Sequence, residues 1–574
     1  FKQKTAYEIM PSLVGSEMCI RDSDRLVFLP LGGTGEIGMN MNLYGYGKEI
    51  DDMKWLIVDV GITFGDETTP GVDIILPDHD FIKERKDNLS GIIITHAHED
   101  HVGGLAYLWP DLKCPIYATP FTASIIRLKF EERGLDHEGY LNVIDLSSEI
   151  QIKPFDIKFQ TLTHSIPEPN SLIIKTKLGN IYHTGDWKID DDPVVGKAID
   201  FNELKSNTKD ILAMVCDSTN VLTKGRSGSE SEVKNNLTEV IKGIKNRVFV
   251  TSFASNVARL ETIAHAAKET NRSLVVLGRS MHRMISVARQ NGILNDIDVI
   301  LSEKEAVKKK REEVLYLCTG SQGEPRGAMM RIANQDFPHV DIDLDDTIIF
   351  SSKIIPGNEK KIFQLFNRLS ELGANVITEY DENIHVSGHP CLDEMVDMYD
   401  NIKPAISVPV HGEHRHLKRH SNLAKEMGVK FPMLISNGDI LQIAPGSPYV
   451  VDQCDSGRQY FDGNRLVKSE SSHIKDRKRM AYNGVLNVTC IIDQKMNLKE
   501  NPLIISSGIV SDQEYENDEM VYLLEEEIYK FFEDKTNISK KEKKLYQRLE
   551  TLSRNFVFKH TRKKPLTNIS IVHI

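Results

Sequence analysis

The chain has 574 residues, of which 40% are hydrophobic, and is long enough for about three or four packed domains. Its formal net charge of −12 argues against a protein that coats nucleic acid by bulk attraction, although it is compatible with a local basic groove. Seven dispersed cysteines without a CxxC pair exclude a disulfide scaffold and indicate a protein of the reducing cytoplasm. No apolar run approaches the ~20 residues that span a bilayer, so we expect no membrane segment.

The first residues differ from the rest of the chain. Residues 1–23 show neither a helical nor a strand period, and "SEMCIRDS" within them resembles translated adapter or vector sequence, so we interpret them as a non-native extension. From Arg25 onward, apolar runs such as "RLVFLPLGG", "WLIVDVG" and "GIIITHAHEDH" alternate with glycine turns and helical patterns, which predicts an α/β fold. The GxGxxG of Gly33, Gly35 and Gly38 precedes strand alternation and no helix, which favours a tight turn over a dinucleotide site.

A second segment of alternating strand and helix patterns begins near Thr219. Strand and helix patterns alternate from there to about Tyr380 and predict an inserted or appended parallel domain. Strands that end in histidine then return, in "NIHVSGHP" and "AISVPVHGEH". A Gly, Ser and Asp stretch at 452–464 indicates a linker, and residues from about Met480 predict a small α/β tail. Its long charged helices fit packing on a partner subunit and packing on their own sheet equally well.

The stretch "IIITHAHEDHVGGL", residues 92–105, places His96, His98, Asp100 and His101 directly after a β-branched apolar run. These residue types bind divalent metal ions, and their density at one strand end favours a metal site over a chance grouping. A loop that leaves a strand can splay alternate side chains to the same side. His96 and His98 can therefore hold one ion while Asp100 and His101 face a second.

Other histidines and aspartates also follow apolar strand-like runs. Such positions lie on the carboxyl rim of a sheet, where open α/β sheets bind their ligands. The residues are Asp59, His164, Asp186, Asp217, His385, His389 and His411. Six or seven ligands are too many for one tetrahedral zinc ion, but they suit two ions about 3.5–4 Å apart that share a carboxylate. We assign the shared carboxylate to Asp186.

Several charged segments have no predicted catalytic or metal-binding role. His414, His416 and His420 fall on a predicted helix, where we expect surface charge. Three basic stretches fit a polyanion-binding surface and a solvated protein face equally well. They are "HRHLKRH" (414–420), "HIKDRKR" (473–479) and "KHTRKK" (559–564).

The motifs together resemble a known family. HxHxDH with a downstream histidine and then "GD" resembles the metallo-β-lactamase superfamily, and Asp217, "HVSGH" and "PVHGE" resemble the added motifs of its β-CASP nuclease branch. The segments "LGGTGEIGMNM", "THSIPEPNS", "HTGDWKID", "SFASNVARL" and "TGSQGEP" are similar to the bacterial ribonuclease J family, and the resemblance covers essentially residues 25–574.

The resemblance implies an α/β protein: a metallo-β-lactamase αββα sandwich with an inserted β-CASP α/β domain and a small C-terminal α/β domain. The implied boundaries are 24–218 and 381–455 for the sandwich, 219–380 for the insertion, 456–479 for a linker and 480–574 for the C-terminal domain.

The resemblance also implies roles for the strand-end residues. His96, His98 and His164 would hold one ion, and Asp100, His101 and His411 the other, with Asp186 shared. Asp59 and Asp217 would orient ligand imidazoles. His385 and Ser387 would contact the scissile phosphate together with His389. His389 would be the catalytic histidine, acting with Asp100 and Asp186.

In function, the resemblance implies a two-zinc ribonuclease, with Mn²⁺ or Mg²⁺ as alternative ions in activity. It would process and degrade RNA in the bacterial cytoplasm by 5′–3′ exonuclease and endonuclease cleavage. The substrate would be single-stranded RNA, with 5′-monophosphate ends preferred, and the chain would form a homodimer or homotetramer through its C-terminal domain. Two alternatives stay open: a non-catalytic RNA-binding partner subunit of the same fold, and a small-molecule metallo-hydrolase. Complete ligands argue against the first, and the insertion with "HVSGH" argues against the second.

Overall fold

A computed structural model describes residues 23–295, 297, 299–509, 516–534 and 542–574. Residues 1–22 of the expected non-native extension lie outside this described part. The chain forms two units: Leu76–Gly457 with the described residues up to Thr63, and Phe64–Ile75 with the described residues from Arg458 to Ile574. Within the described part, no helix is both long enough and apolar enough to cross a membrane.

Two large β-sheets form the centre of the first unit. One has eight strands, in the order Tyr449–Gln453, Asp439–Ala444, Arg25–Gly32, Met41–Gly47, Lys54–Val58, Leu89–Ile93, Ile116–Ala118 and Leu141–Val143. The other has seven, in the order Glu149–Ile152, Phe155–Thr161, Asn170–Thr176, Gly179–His183, Ile211–Asp217, Ile406–Val410 and Phe431–Pro432. The GxGxxG glycines have positive φ and lie in the connection between the antiparallel strands Arg25–Gly32 and Met41–Gly47. This connection includes the short strand Thr34–Gly35, which pairs with Gly412–Glu413, so it is longer than the tight turn that we expected.

The two sheets pack face to face through a continuous apolar core. Because side chains alternate along a strand, every second residue of the facing strands enters this layer. The first sheet contributes Leu26, Phe28, Tyr44, Leu56 and Val58, and the second Phe155, Ile157, Phe159, Leu172 and Ile174. Each fully buried side chain of this size contributes about 1.5–3 kcal/mol to stability.

Helices cover the outer faces of both sheets and complete the αββα sandwich, which confirms the expected fold. Glu99–Val102, Leu105–Leu112 and Pro120–Glu132 follow strands of the eight-stranded sheet, and Asp80–Lys83 with a short 3₁₀ turn at Lys86–Asn88 precedes its strand Leu89–Ile93. Those associated with the seven-stranded sheet are Phe201–Asn207, Leu392–Ile402 and His414–Glu426. Buried side chains of these last three helices pack with Tyr182, Trp187 and Met214 in a second core.

The inserted domain interrupts the seven-stranded sheet after Ile211–Asp217. It has a five-stranded parallel sheet in the order Ser273–Leu277, Val314–Cys318, Val248–Thr251, Thr347–Phe350 and Asn375–Ile377. Its helices are Glu230–Gly243, Val257–Glu269, Arg279–Gln290, Glu303–Ala306, Ala328–Ala333 and Glu359–Glu371, with a 3₁₀ turn at Arg311–Glu313. The chain then returns through Ile406–Val410, which pairs in parallel with Ile211–Asp217 so that Val410 lies opposite Asp217.

The second unit contains two small sheets. A four-stranded sheet has the order Arg465–Lys468, Arg458–Asp462, Ile74–Pro77 and Thr63–Phe64, and a three-stranded sheet has the order Leu503–Ser507, Val485–Ile492 and Leu566–His573. Its helices are Ser472–Asn483, Glu516–Glu533 and Glu542–Thr561, and the last two pack on one face of the three-stranded sheet. Residues 456–479, which we expected to form a linker, instead contain a β-hairpin and most of a helix.

Candidate metal centre

The HxHxDH segment forms the tight connection that follows strand Leu89–Ile93. His98 precedes the helix Glu99–Val102, whose first turn carries Asp100 and His101 on an inward-facing surface. A neighbouring loop approaches this turn very closely, since a Cβ built on Gly61 would lie 1.7 Å from the Asp100 carbonyl oxygen. Only glycine permits that approach. The HxHxDH segment therefore packs directly against the strand end that carries Asp59.

Two overlapping sets of donor atoms meet at this strand end. The first consists of His96, His98, His164 and Asp186, and the second of Asp100, His101, Asp186 and His411. Within each set, one donor atom from every residue lies within 4.8 Å of the others. The imidazole nitrogens of His96, His98 and His164 face one another, with the Nδ1 of His98 3.1 Å from His96 Nε2 and 3.0 Å from His164 Nε2.

Asp186 belongs to both sets because its two carboxylate oxygens face different histidines. Its Oδ2 lies 3.1 Å from His101 Nε2, 3.7 Å from His96 Nε2 and 3.8 Å from His164 Nε2. Its Oδ1 lies 3.7 Å from His411 Nε2. The donor chemistry therefore fits two divalent cations with one shared carboxylate, three imidazoles on one side and two imidazoles with a second carboxylate on the other.

Groups behind the donors fix the orientation of each ring. Asp59 Oδ2 accepts a hydrogen bond from His101 Nδ1 at 2.7 Å, so the Nε2 of His101 faces the centre. The hydroxyl of Thr219 lies 2.7 Å from His411 Nδ1, and that of Thr95 lies 3.0 Å from His96 Nδ1. When one imidazole nitrogen is held from behind, the other is presented to a cation in a defined direction.

The carbonyl oxygen of Gly388 accepts a hydrogen bond from His164 Nδ1. A side chain at position 388 would collide with the same imidazole, because a built Cβ lies 2.7 Å from its Cε1. Glycine at this position therefore lets the "HVSGH" segment reach the first donor set.

Two residues of the centre have strained backbones. Asp59 has φ of 66° and His411 has φ of 52°, both in the left-handed region that residues other than glycine rarely adopt. Such a conformation costs about 1–3 kcal/mol unless its surroundings compensate. The N–H of His411 donates to the Gly33 carbonyl at 2.7 Å, and that of Asp59 to the Ile93 carbonyl at 2.8 Å, and these bonds hold the strained residues in place.

The two donor sets differ in electrostatics. Burial holds the pKa values of His96, His98 and His164 below the usual range, to about 4 for His98, so these imidazoles are neutral and ready to bind a cation.

In the second set, burial opposes charge, but the carboxylates of Asp186, Asp100 and Asp217 raise the pKa of His411 to about 9. The pKa of Asp186 is well below its usual range because His101, His411 and His389 outweigh its burial. So much buried negative charge requires a positive counter-charge, which divalent cations would supply.

His389 lies beside this centre and is bound to a different carboxylate. Its Nδ1 lies 2.7 Å from Asp217 Oδ2, and the backbone N–H and hydroxyl of Thr219 also donate to Asp217, at 2.8 and 2.7 Å. Asp217, His389, His411 and Asp186 form a third group of close donor atoms. The structure thus places Asp217 behind both His411 and His389.

Ser387 and His385 complete the "HVSGH" segment. The hydroxyl oxygen of Ser387 accepts from Asn220 Nδ2 at 2.6 Å and from the backbone N–H of His389 at 3.1 Å, which leaves its own O–H to donate elsewhere. His385 is not part of the three donor groups found among the described residues. Burial and the nearby cations Arg259, Lys353 and Lys188 hold its pKa well below the usual range, so it is neutral.

All seven predicted metal ligands are therefore brought together, with Asp59 and Asp217 directly behind them. Sequence reasoning missed the hydroxyl and amide groups of Thr95, Thr219 and Asn220, which orient the imidazoles and Ser387. Their positions in the sequence could have identified them, since each lies within three residues of a predicted functional aspartate or histidine at a strand end.

The expectation of surface charge on the helix after His411 is wrong for two of its three histidines. His416 and His420 are buried, and His420 contacts the hydroxyls of Ser218 and Tyr399 at 2.8 Å each. They lie on the inner face of the helix, and only His414 is exposed.

Comparison with known families matches four successive parts of the chain. The descriptions are "Beta-lactamase superfamily domain" for residues 55–202, "Ribonuclease J, beta-CASP domain" for 245–369, "Zn-dependent metallo-hydrolase RNA specificity domain" for 373–434 and "Ribonuclease J C-terminal domain" for 472–574. The second match lies within the insertion expected at 219–380.

Curated proteins are similar over most of the chain. Ribonuclease J of Sinorhizobium meliloti is 42% identical over 487 residues, which cover 85% of this chain and 86% of that protein. Ribonuclease J2 of Bacillus subtilis is 31% identical over 552 residues, which cover 95% of this chain and 98% of that protein. A crystal structure of a protein of unknown function from Enterococcus faecalis has the same fold over 73% of this chain and 100% of its own, with a TM-score of 0.50 and 15% identity.

Proposed function

The chain belongs to the ribonuclease J family, and from that premise we propose that its buried histidine and aspartate cluster holds two divalent cations and hydrolyses RNA phosphodiester bonds. The observation that carries the proposal is the pair of donor sets that share Asp186. One strand-end carboxylate facing imidazoles on two sides is the arrangement that a two-metal hydrolase needs.

The donors suggest which ions would bind. His96, His98 and His164 with Asp186 would hold one ion, and Asp100, His101 and His411 with Asp186 the other. Zn²⁺ is usually coordinated by four ligands, among them imidazoles and carboxylates. We therefore propose zinc at both positions, with Mn²⁺ or Mg²⁺ as alternatives in activity. When bound, the cations supply Lewis acidity toward the phosphodiester and toward the water that attacks it.

The remaining residues act on the substrate directly. Ser387 has a free O–H to donate to a phosphate oxygen, because both of its close partners are donors. His385 is neutral and adds a second contact to the same phosphate. His389 has its Nδ1 on Asp217, so its Nε2 is the atom that can give a proton to the leaving oxygen. Asp217 is the positioning residue for that imidazole.

The substrate and its handling follow from the family. We propose single-stranded RNA as substrate, cleaved from the 5′ end and internally, with faster cleavage of 5′-monophosphate RNA. We further propose that the protein acts in the cytoplasm as a homodimer or homotetramer assembled through the C-terminal domain. The two alternative functions gain no support: both donor sets are complete, and the matches to β-CASP and RNA-specificity domains are not those of a small-molecule hydrolase.

The test uses purified protein and 5′-labelled RNA with monophosphate, triphosphate or hydroxyl ends. Products resolved over time should show single nucleotides released first from monophosphate RNA, together with internal fragments from all three. Elemental analysis should give two metal ions per chain, and a chelator should abolish cleavage. Undiminished cleavage by metal-free protein would refute the mechanism, and metal-loaded protein that leaves every RNA intact would refute the activity.

A further inference from the structure

Two basic stretches that were separate in sequence, 473–479 and 559–564, lie side by side in the second unit. The side chain of Arg479 donates to the carbonyl oxygen of Pro565 at 3.0 Å and to that of Lys564 at 3.4 Å. In the opposite direction, Lys563 Nζ donates to the carbonyl oxygen of Tyr482 at 2.9 Å. The two segments are thus joined by specific hydrogen bonds.

These contacts gather cations on one surface, the basic patch, which consists of Lys475, Arg479, Arg562, Lys563 and Lys564. Lys475 lies one helical turn before Arg479, on the same face of helix Ser472–Asn483. Arg562, Lys563 and Lys564 follow the end of helix Glu542–Thr561, are exposed, and form no ion pair with a carboxylate among the described residues. Close like charges that are not neutralised repel one another and attract a polyanion.

An aromatic side chain accompanies the basic patch. Tyr482 is 67% exposed and belongs to the same helix as Lys475 and Arg479. A flat ring beside a row of cations is the combination that binds single-stranded nucleic acid, since bases stack on the ring while phosphates contact the cations. An acidic protein surface would use the same cations but would gain no base stacking.

A lysine run elsewhere shows what a merely solvated basic stretch looks like. Lys308, Lys309 and Lys310 are also exposed and consecutive, but they are flanked in sequence by Glu303, Glu305, Glu312 and Glu313. Their charge is locally balanced. The basic patch lacks such neighbours between positions 559 and 564.

We propose that the basic patch and Tyr482 form an accessory binding surface for single-stranded RNA, separate from the residues of the metal centre. The inference rests on the proposed function, because it takes RNA as the substrate. It explains how a chain with a net charge of −12 holds a polyanion: the cations are concentrated locally while the excess of carboxylates lies elsewhere.

The test compares binding of a phosphorothioate RNA of about 30 nucleotides with cleavage of an RNA of about four nucleotides, using the full metal-loaded chain. The triple variant Arg562→Gln, Lys563→Gln, Lys564→Gln should bind the long RNA more weakly. Its slope of log K against log salt should be shallower by about 2, since each lost phosphate contact removes about 0.7. Cleavage of the short RNA should keep the parent rate. The control triple Lys308→Gln, Lys309→Gln, Lys310→Gln removes the same charge and should leave the slope unchanged.

Base stacking has its own pair of variants. Tyr482→Ala should weaken RNA binding at least about fivefold but leave binding of heparin, a polyanion without bases, unchanged. Tyr522→Ala, which removes a ring that is 60% exposed on the acidic helix Glu516–Glu533, is the control and should have no effect.

If both triple variants changed the slope of log K against log salt equally, the patch would contribute only its net charge, and the inference would be overturned. Unchanged RNA binding in the patch variants would also overturn it, and would leave an acidic protein as the better partner. If the parent chain neither binds nor cleaves RNA, the proposed function itself has failed. Each variant should keep a single cooperative melting transition, and only the patch triple variant should melt slightly lower, because it loses the hydrogen bond from Lys563 Nζ to the Tyr482 carbonyl.

Discussion

Replacing His389 with alanine should separate catalysis from metal binding. The Nδ1 of His389 is held by Asp217 Oδ2 at 2.7 Å and lies 3.9 Å from Asp186 Oδ2. Because Asp217 already occupies Nδ1, and Nε2 is the atom left for the substrate, we expect His389 to transfer a proton rather than to bind an ion. This expectation is open to test, since its donor atom also belongs to the third close group.

The expected loss follows from that role. A positioned general acid or base contributes about 10²- to 10⁴-fold to rate, which corresponds to about 2.7–5.4 kcal/mol of transition-state stabilisation. Removal of the imidazole leaves Asp217 Oδ1 with its two donors from Thr219, at 2.8 and 2.7 Å, whereas Oδ2 loses the hydrogen bond from His389. The donor sets behind it are untouched, and His389→Ala should retain two ions per chain.

Turnover of 5′-labelled RNA and elemental analysis of the same preparation give the two readouts. His411→Ala is the matched control, because it removes a neighbouring imidazole on the same carboxylate and should lose an ion together with activity. If His389→Ala lost metal in proportion to its rate, the third donor group would be a metal site and the role given to His389 would be wrong.

The other predictions concern the donors, their support and a buried histidine. His98→Ala should abolish hydrolysis and remove an ion, whereas His414→Ala, at an exposed position, should match the parent; equal damage would mean that the site is misplaced. Asp59→Asn should weaken metal affinity by about 10- to 100-fold in a chelator competition, because His101 loses the carboxylate that orients it; unchanged affinity would make Asp59 dispensable. For His420, burial lowers the pKa to about 3, so the unfolded chain takes up this proton first as pH falls below about 6.5 and the folded state loses stability. Between about pH 7.5 and 5 the loss from this one group is about 2 kcal/mol, and denaturant unfolding of His420→Gln should show that much less pH dependence than the parent.

Much of the site could be predicted because its chemistry is concentrated at strand ends. An apolar run followed at once by a histidine or aspartate indicates the C-terminal end of a β-strand. This pattern predicts that Asp59, Asp186 and His411 lie on one edge of a sheet although they are far apart in sequence. Pairing of Ile211–Asp217 with Ile406–Val410 is what brings the last of them to the others. The αββα sandwich was expected from the family resemblance, and the order of its strands was not predicted, since periodicity alone does not specify which strands are neighbours.

The expectations that the structure corrects concern contacts between residues that are far apart in sequence. The Gly, Ser and Asp stretch at 452–464 looks like a linker by composition, but strand Arg458–Asp462 within it pairs with a segment near residue 75, and no local signal records such a partner. His416 and His420 resemble surface charge by residue type. Their spacing with Leu417, Leu423 and Ala424 places them on the apolar face of the helix, where a neutral imidazole can be satisfied by buried hydroxyls.

The position of the inserted domain determines when the centre is complete. His96, His98, His164 and Asp186 all precede the insertion, so the first donor set needs only the first part of the sandwich. His411 of the second set and the catalytic candidate His389 come after it, and they reach the centre only once the chain has returned beside strand Ile211–Asp217. The buried Arg259 of the inserted domain donates to the Ile384 carbonyl at 3.0 Å, directly before the "HVSGH" segment. The inserted domain therefore does more than lengthen the chain, because Arg259 holds the backbone directly before the segment that we propose contacts the scissile phosphate.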